Sequence, residues 1–154
     1  MLNKEQVLKS INGLKLNRIS LACQMIVLDF GRVGIHCQCL TRIRKETDIL
    51  FTTQDYQSWD GKEDTNNDEW YFCQKYKLII EGGVVEEINI NSMNDLFIKL
   101  NNDVCIEVYV SNGYYHYEEE QEQWRLLGYG EKSYHMVVYN KHIEFIDKDD
   151  YDKK

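Results

Sequence analysis

Apolar side chains recur at every second position along much of this chain, a period typical of β-strands with one buried face. The clearest example covers residues 35–44. One face of this stretch carries Ile35, Cys37, Cys39, Thr41 and Ile43, and the other carries His36, Gln38, Leu40, Arg42 and Arg44. The period therefore predicts that β-strands dominate the fold.

Further strands are predicted wherever this period, or a short apolar run between turn residues, returns: residues 14–23, 25–28, 49–53, 84–91, 96–101, 104–111, 134–139 and 143–146. Residues 25–28 are apolar on both faces, which is typical of a central strand. Asn140 and Lys141 fit a two-residue hairpin turn. The predicted fold class is α+β, with a predominantly antiparallel, strongly curved sheet or half-barrel of about eight strands and one or two helices.

Two segments show helical spacing instead. Asn3 can cap a short first helix that ends at Gly13. Over residues 70–81 the apolar spacing predicts a second helix, with a strand over residues 76–80 as the alternative. Residues 114–127 are charged and aromatic without a clean period, so helix and loop both stay open there.

The chain has 154 residues, no proline, nine glycines and a net charge of −8. No stretch has the composition of a linker between domains, so we predict one α+β domain over residues 1–146 and a polar tail at 147–154. The acidic balance argues against direct binding of nucleic acid or of an anionic membrane, because both attract a net-positive face.

The five cysteines are odd in number and form no Cys-x-x-Cys pair, whereas a secreted disulfide framework favours an even count. Residues 1–10 lack the apolar run of a signal peptide. The longest aliphatic stretch, residues 25–28, is far too short to span a membrane. We therefore expect a cytoplasmic protein with reduced thiols.

Catalytic and metal-binding motifs are incomplete in this sequence. Strand alternation places Cys37 and Cys39 on one face and His36 on the other, whereas a tetrahedral zinc needs convergent ligands. We predict no catalytic residue, no metal and no cofactor. The alternatives are a generic ligand-binding or adaptor module, or a small hydrolase that sets a cysteine or carboxylate beside one of the histidines: His36, His116, His135 and His142.

Acidic residues cluster in three segments, two of which also carry several aromatic residues. Aromatic anchors flanked by carboxylates suit docking onto a basic protein. The same acids can equally form a solvated surface that keeps a protein soluble. The candidate partner-binding residues are Asp60, Glu63, Asp64, Asp68, Trp70, Tyr115, Tyr117, Glu118, Glu119, Glu120 and Glu122.

Trp124 and Arg125 directly follow the last of these acids. An arginine beside a tryptophan and a nearby carboxylate predicts a part-buried, bidentate ion pair that pins the local chain. We therefore assign these two residues a structural role.

Five short patterns, spread over most of the chain, carry a resemblance to a known group: Gly13-Leu14-x-Leu16-x-x-Ile19, Leu28-Asp29-Phe30-Gly31, Ile35-His36-Cys37-Gln38-Cys39-x-x-Arg42, Glu122-x-Trp124-Arg125 and His135-Met136-Val137-Val138. With these patterns the sequence resembles small bacterial cytosolic immunity proteins of polymorphic and contact-dependent growth-inhibition toxins. It departs from the group at Cys39-Leu40-Thr41-Arg42, where an aromatic residue before the arginine is more typical.

This resemblance implies an inhibitor that is not an enzyme and that binds a cognate toxin domain, often a nuclease, to occlude or distort its active site. The charge agrees, because nucleases are generally basic where they hold nucleic acid. An acidic inhibitor is complementary to such a surface, and electrostatic steering speeds its capture of the toxin.

Overall fold

The strands form two antiparallel sheets within the part of the chain that the structure describes. This computed structural model describes residues 3–57, 68–111, 120–129 and 133–147. Its strands are β1 (Arg18–Ala22), β2 (Met25–Asp29), β3 (Val33–Cys37), β4 (Leu40–Lys45), β5 (Asp48–Thr52), β6 (Val85–Ile90), β7 (Leu96–Leu100), β8 (Val104–Tyr109), β9 (Glu122–Gly128), β10 (Tyr134–Tyr139) and β11 (Ile143–Asp147).

The six-stranded sheet has the order β1-β2-β3-β9-β10-β11, and the five-stranded sheet has the order β5-β4-β8-β7-β6. Neighbouring strands are antiparallel throughout, so the predicted α+β class and pairing are confirmed. The central position predicted for residues 25–28 is also confirmed, because β2 lies between β1 and β3. The eleven described strands divide between two sheets, where the sequence predicted about eight strands in one curved sheet.

Residues 35–44 cross from one sheet to the other, although their alternation runs on unbroken. Cys37 at the end of β3 and Cys39, Thr41 and Ile43 beyond it are all buried. At the crossing, the backbone N–H of Thr41 donates to Oγ1 of Thr53 at 2.8 Å, and the Thr41 hydroxyl donates to the carbonyl of Cys39 at 3.1 Å. Side-chain hydroxyls thus replace strand partners where the chain changes sheet.

Apolar residues from both sheets belong to one hydrophobic core. Ile35, Leu126 and Met136 enter it from the six-stranded sheet, and Ile43 and Ile106 enter it from the five-stranded sheet. All five side chains are fully buried. Burial of this kind is the main stabilising term in folding, so the two sheets stabilise each other.

The helices are α1 (Lys4–Lys9), α2 (Thr53–Gln57), α3 (Asp68–Tyr71) and α4 (Lys77–Ile80), with a π-helical turn at Phe72–Tyr76 joining the last two. Oδ1 of Asn3 accepts the N–H of Gln6 at 2.9 Å, so the predicted cap of the first helix is confirmed. The helix predicted over residues 70–81 is confirmed as well, and the alternative strand over 76–80 is wrong.

Part of the segment without a clean period is a strand. Residues 122–128 form β9, which lies between β3 and β10 near the middle of the six-stranded sheet. Trp124 and Leu126 face the core, whereas Arg125 is half-buried on the outer face beside buried Gln123. Because polar residues are buried or half-buried here, apolar and polar residues do not alternate cleanly, and the strand period of two is not recognisable in the sequence. Residues 112–119 lie outside the described part of the chain.

The predicted polar tail begins at Asp147, which is the last residue of β11, and residues 148–154 lie outside the described part of the chain. Among the described helices, none has the length and apolar character needed to cross a membrane.

Trp124 connects the two sheets through its indole. The side chain is 0% exposed, and its N–H donates to the carbonyl of Asn94 at 2.9 Å. Asn94 belongs to the turn between β6 and β7 of the five-stranded sheet, whereas Trp124 belongs to β9 of the other sheet.

We expect Trp124→Phe to lower the free energy of unfolding by about 1–3 kcal/mol, because a buried carbonyl loses its donor. Urea denaturation measures this change. Trp70→Phe is the matched control, since Trp70 is exposed and the same substitution there changes stability by only about 0.5 kcal/mol or less. Equal losses in the two variants would contradict the assigned role of the indole.

Candidate functional site

Four of the predicted partner-binding residues lie in described segments. Trp70 and the backbone of Asp68 belong to α3, Glu122 begins β9, and Glu120 precedes it. The others lie outside the described residues, and their predicted contacts with a partner stay predictions: Asp60, Glu63, Asp64, Tyr115, Tyr117, Glu118 and Glu119.

The carboxylate of Glu122 forms a salt bridge with Arg125 of the same chain. The guanidinium Nε donates to Oε1 at 2.6 Å and Nη2 donates to Oε2 at 2.9 Å, which makes the bidentate pair expected from the sequence. The two side chains are 20% and 19% exposed. This pair sits on the outer face of the six-stranded sheet, so Glu122 contributes to the fold there.

Two histidines flank this pair. Nη1 of Arg125 lies 3.0 Å from Nδ1 of His135, and because arginine can only donate, Nδ1 accepts and the ring is neutral. Burial lowers the pKa of His135, and the nearby Arg125 charge lowers it further. The pKa of His36, which faces Arg125 across β3 and β9, is lowered for the same two reasons.

The carboxylate of Glu120 is also bound within the chain, by residues of the hairpin that joins β10 and β11. Its Oε1 accepts the backbone N–H of Lys141 at 3.0 Å, and its carboxylate pairs with His142. Nε2 of His142 also lies 3.2 Å from a carboxylate oxygen of Glu144, and its ring stacks on Tyr139 at 4.5 Å. The Glu144 hydrogen bond and then the Glu120 charge raise the pKa of His142 above its ordinary value.

Arg42 and Arg44 share one carboxylate on the outer face of the five-stranded sheet. Nε of Arg42 and Nε of Arg44 donate to Oε1 of Glu107 at 3.1 and 2.8 Å. The Tyr109 hydroxyl donates to Oε2 of the same carboxylate at 2.9 Å. Burial acts to raise the pKa of Glu107, but these hydrogen bonds outweigh it and hold the pKa below its ordinary value.

The cysteine and histidine pattern near residue 36 lies as the alternation predicts, with Cys37 and Cys39 buried and His36 on the opposite face. Burial raises the pKa of the Cys37 thiol and raises that of Cys39 to about 12. Both thiols are therefore protonated at neutral pH and are poor nucleophiles. Within the described segments, no group of three or more histidine, cysteine, aspartate or glutamate residues could hold a metal ion.

Large apolar side chains project into solvent from the helical segment 68–80, and we call these four the exposed helical surface: Trp70, Tyr71, Leu78 and Ile79. They are 37%, 49%, 81% and 40% exposed, in that order. The rings of Trp70 and Tyr71 pack edge to face with centroids 5.0 Å apart. Apolar exposure concentrated on one element is characteristic of interaction sites.

The opposite side of this segment anchors it to the core. Phe72 and Ile80 are buried, and the Phe72 ring packs on Phe51 with centroids 4.7 Å apart. At the C-terminal end, Nδ2 of Asn102 donates to the carbonyls of Ile79 and Ile80, both at 3.3 Å. The exposed side chains therefore stand on a fixed support, which reduces the entropy lost on binding.

Sequence reasoning found Trp70 but missed Tyr71, Leu78 and Ile79. A signal was present, because Leu78, Ile79 and Ile80 form an apolar run. Only Phe72, Tyr76 and Ile80 recur every fourth residue toward the core. On a helix, the remaining members of the run must face solvent.

Thiol reactivity tests the assigned burial of the cysteines. We expect Ellman's reagent to modify exposed Cys23 and Cys73 in the folded protein, and Cys37 and Cys39 only after unfolding. Protein mass spectrometry after brief labelling identifies the modified thiols. Rapid labelling of Cys37 or Cys39 in the native protein would contradict their burial.

The shifted pKa values of His142 and His135 predict opposite dependences of stability on pH. The folded-state pKa of His142 is raised, so its contribution is complete below about 6.5, the ordinary histidine pKa, and is lost as the pH rises through the higher folded value. His135 has a lowered pKa, so its effect has the opposite sign, and stability falls as the pH drops. We expect His142→Gln to remove a decline in stability with rising pH.

Urea denaturation from pH 5 to 9 measures this change, and His135→Gln is the matched control, because it should remove a rise instead. If both variants altered the pH profile in the same direction, the assigned partners would be wrong.

The chain matches no protein-family model, no curated protein and no solved structure. The resemblance to immunity proteins therefore stays a prediction. A functional proposal has to be argued from the surfaces described above, of which the exposed helical surface is the most apolar.

Proposed function

We propose that this protein is an immunity protein that binds a cognate bacterial toxin domain, of the nuclease class, and neutralises it by covering its basic active-site surface. The observation that carries the proposal is the exposed helical surface on a chain with a net charge of −8. In this function the protein acts by binding and performs no chemistry.

The composition of the exposed helical surface supports binding to another protein. Interface energy concentrates in a few aromatic and large side chains at the centre of a patch. Trp70 and Tyr71 supply two such rings, already packed against each other, and Leu78 is 81% exposed. An aliphatic side chain left this open gains from being covered, at roughly 25 cal/mol per Å² of apolar area.

Acidic residues accompany this apolar surface in the sequence. Asp68 and Glu69 directly precede Trp70, and Asp60, Glu63 and Asp64 come shortly before them. An apolar centre with a charged rim is the usual anatomy of a transient interface. The sequence that leads into Trp70 is rich in acids, which favours a positively charged partner and speeds association by electrostatic steering.

The alternative of a hydrolase has less support in the described residues. The thiols of Cys37 and Cys39 are buried and protonated, and His36 and His135 are neutral side chains beside Arg125. His142 is bound to two carboxylates on an exposed hairpin. None of these arrangements places an activated nucleophile beside a general base in a cleft.

Co-expression tests the proposed function. The first step is to establish whether a large secreted protein with a variable C-terminal domain is encoded directly upstream of this gene. That domain, produced alone in a susceptible host, is the partner to use. We expect that domain to stop growth and this protein to restore it. Continued growth arrest, with both proteins confirmed in the lysate, would refute the proposal.

We expect Leu78→Glu to weaken binding to that domain by about 30-fold or more, because a charge enters the apolar centre of the interface. The free energy of unfolding should change by about 0.5 kcal/mol or less, since the side chain is exposed. Surface plasmon resonance and urea denaturation measure the two quantities.

Met93→Glu is the matched control, because Met93 is 64% exposed in the turn between β6 and β7, away from the helical segment. It should bind like the unaltered protein. Equal weakening by both variants would show that added charge alone, and not the exposed helical surface, decides binding.

A further inference from the structure

At three of the four edges of the two sheets, a side chain or a neighbouring carbonyl accepts a hydrogen bond from a backbone N–H that points away from the sheet. At β1, the N–H of Ile19 donates to Oε1 of Glu81 at 3.1 Å. At β5, the N–H of Thr52 donates to Oδ2 of Asp55 at 2.9 Å, and at β6, the N–H of Val85 donates to the carbonyl of Leu14 at 2.9 Å. Each of these hydrogen bonds takes up one outward donor and so disfavours pairing with another chain at that point.

At the fourth edge, β11, no described residue accepts a hydrogen bond from an outward N–H in this way. The N–H of Tyr139 donates to the carbonyl of His142 at 2.9 Å, which fixes the alternation of the β10–β11 ladder. In an antiparallel pair, every second residue turns its backbone groups toward the neighbouring strand. Ile143, Phe145 and Asp147 therefore direct their N–H and C=O groups outward, where no described strand lies.

On the core-facing side of this edge, the Phe145 ring is left partly uncovered. It lies opposite Met136, which is 0% exposed in the core, yet Phe145 itself is 39% exposed. Its neighbour on the same face, Ile143, is half-buried against the core. A strand added beyond β11 would cover the Phe145 ring and extend the apolar face by one row.

The side chains along the edge select the charge of an added strand. Glu144 is 48% exposed and Asp147 is exposed, whereas the three aspartates and three lysines of residues 148–154 balance each other in charge. Opposite charges facing each other across strands are stabilising, and like charges are destabilising. A second copy of this chain fits poorly, because it brings the same acids and a net charge of −8.

From these contacts we infer that β11 accepts an extended, basic segment of a partner protein as an additional strand of the six-stranded sheet. The inference rests on the proposed function in one respect, since the partner is the basic toxin domain. Backbone hydrogen bonds to Ile143, Phe145 and Asp147 supply the affinity, and the acids of the edge supply the preference for a basic segment.

A blocked seven-residue peptide of alternating lysine and valine tests the edge without the toxin. We expect it to shift the backbone amide signals of Ile143, Phe145 and Asp147 in NMR spectra of the full chain, and to slow their hydrogen exchange. The same peptide with glutamate in place of lysine should bind at least ten-fold more weakly.

Phe145→Pro removes the outward N–H and the ring but no ladder bond to β10, and Phe145→Ala removes the ring alone. We expect the proline variant to bind the lysine peptide at least ten-fold more weakly than the alanine variant. If Phe145→Pro does not fold by circular dichroism, Asp147→Pro against Asp147→Ala repeats the comparison at the end of the strand.

Equal binding by the proline and alanine variants would overturn the inference. So would signal shifts elsewhere in the chain, or an absence of shifts at millimolar peptide. Concentration-dependent dimers in size-exclusion chromatography, lost in Phe145→Pro, would assign the edge to a second copy instead. Failure of these peptide experiments leaves growth rescue intact, and failure of growth rescue leaves peptide binding intact, so the two proposals fail separately.

Discussion

The burial of Gln123 and Trp124 on β9 is the constraint on which the two-sheet arrangement depends. Polar groups this deep must be hydrogen-bonded, because an unpaired buried donor or acceptor costs about 1–3 kcal/mol. The Trp124 indole meets this requirement at Asn94, in the other sheet. Oε1 of Gln123 accepts the N–H of Ser111, and its backbone carbonyl accepts the N–H of Gln38. Each partner lies where the chain passes from one sheet to the other or turns between strands.

The position of β9 then decides what its acidic neighbours do. Because alternate side chains point to opposite faces, a buried Trp124 places Arg125 on the outer face of the six-stranded sheet. An arginine that is 20% exposed needs a carboxylate, and Glu122 supplies it. Glu120 is similarly taken up by His142 on the next hairpin. The described acids of this segment are therefore part of the fold, and the apolar surface left open lies on the helical segment 68–80.

Local patterns in the sequence predicted local structure well. The alternation over residues 35–44, the central strand at 25–28, the Asn3 cap and the helix at 70–81 are all present. The division into two sheets was not predictable, because a period of two shows which residues face a core but not which sheet they join. The strand β9 was not predicted for a related reason. Its buried Gln123 breaks the alternation of apolar and polar residues, and the hydrogen-bond partners that allow this burial, such as Ser111, come from other parts of the chain.

The candidate site shows the same limit. The acidic residues were evident from composition, but their availability depends on cations that come from elsewhere in the chain, such as Arg42 and Arg44 beside Glu107. In that cluster, and in the pair of Glu122 with Arg125, the cations balance or outnumber the carboxylates. The excess of acidic residues behind the net charge of −8 must therefore lie outside these clusters. Steering depends on this uncompensated charge, whereas the strength of binding depends on buried apolar area and backbone pairing. The proposed capture of a basic partner needs both: uncompensated charge for steering, and the exposed helical surface and the β11 edge for apolar area and backbone pairing.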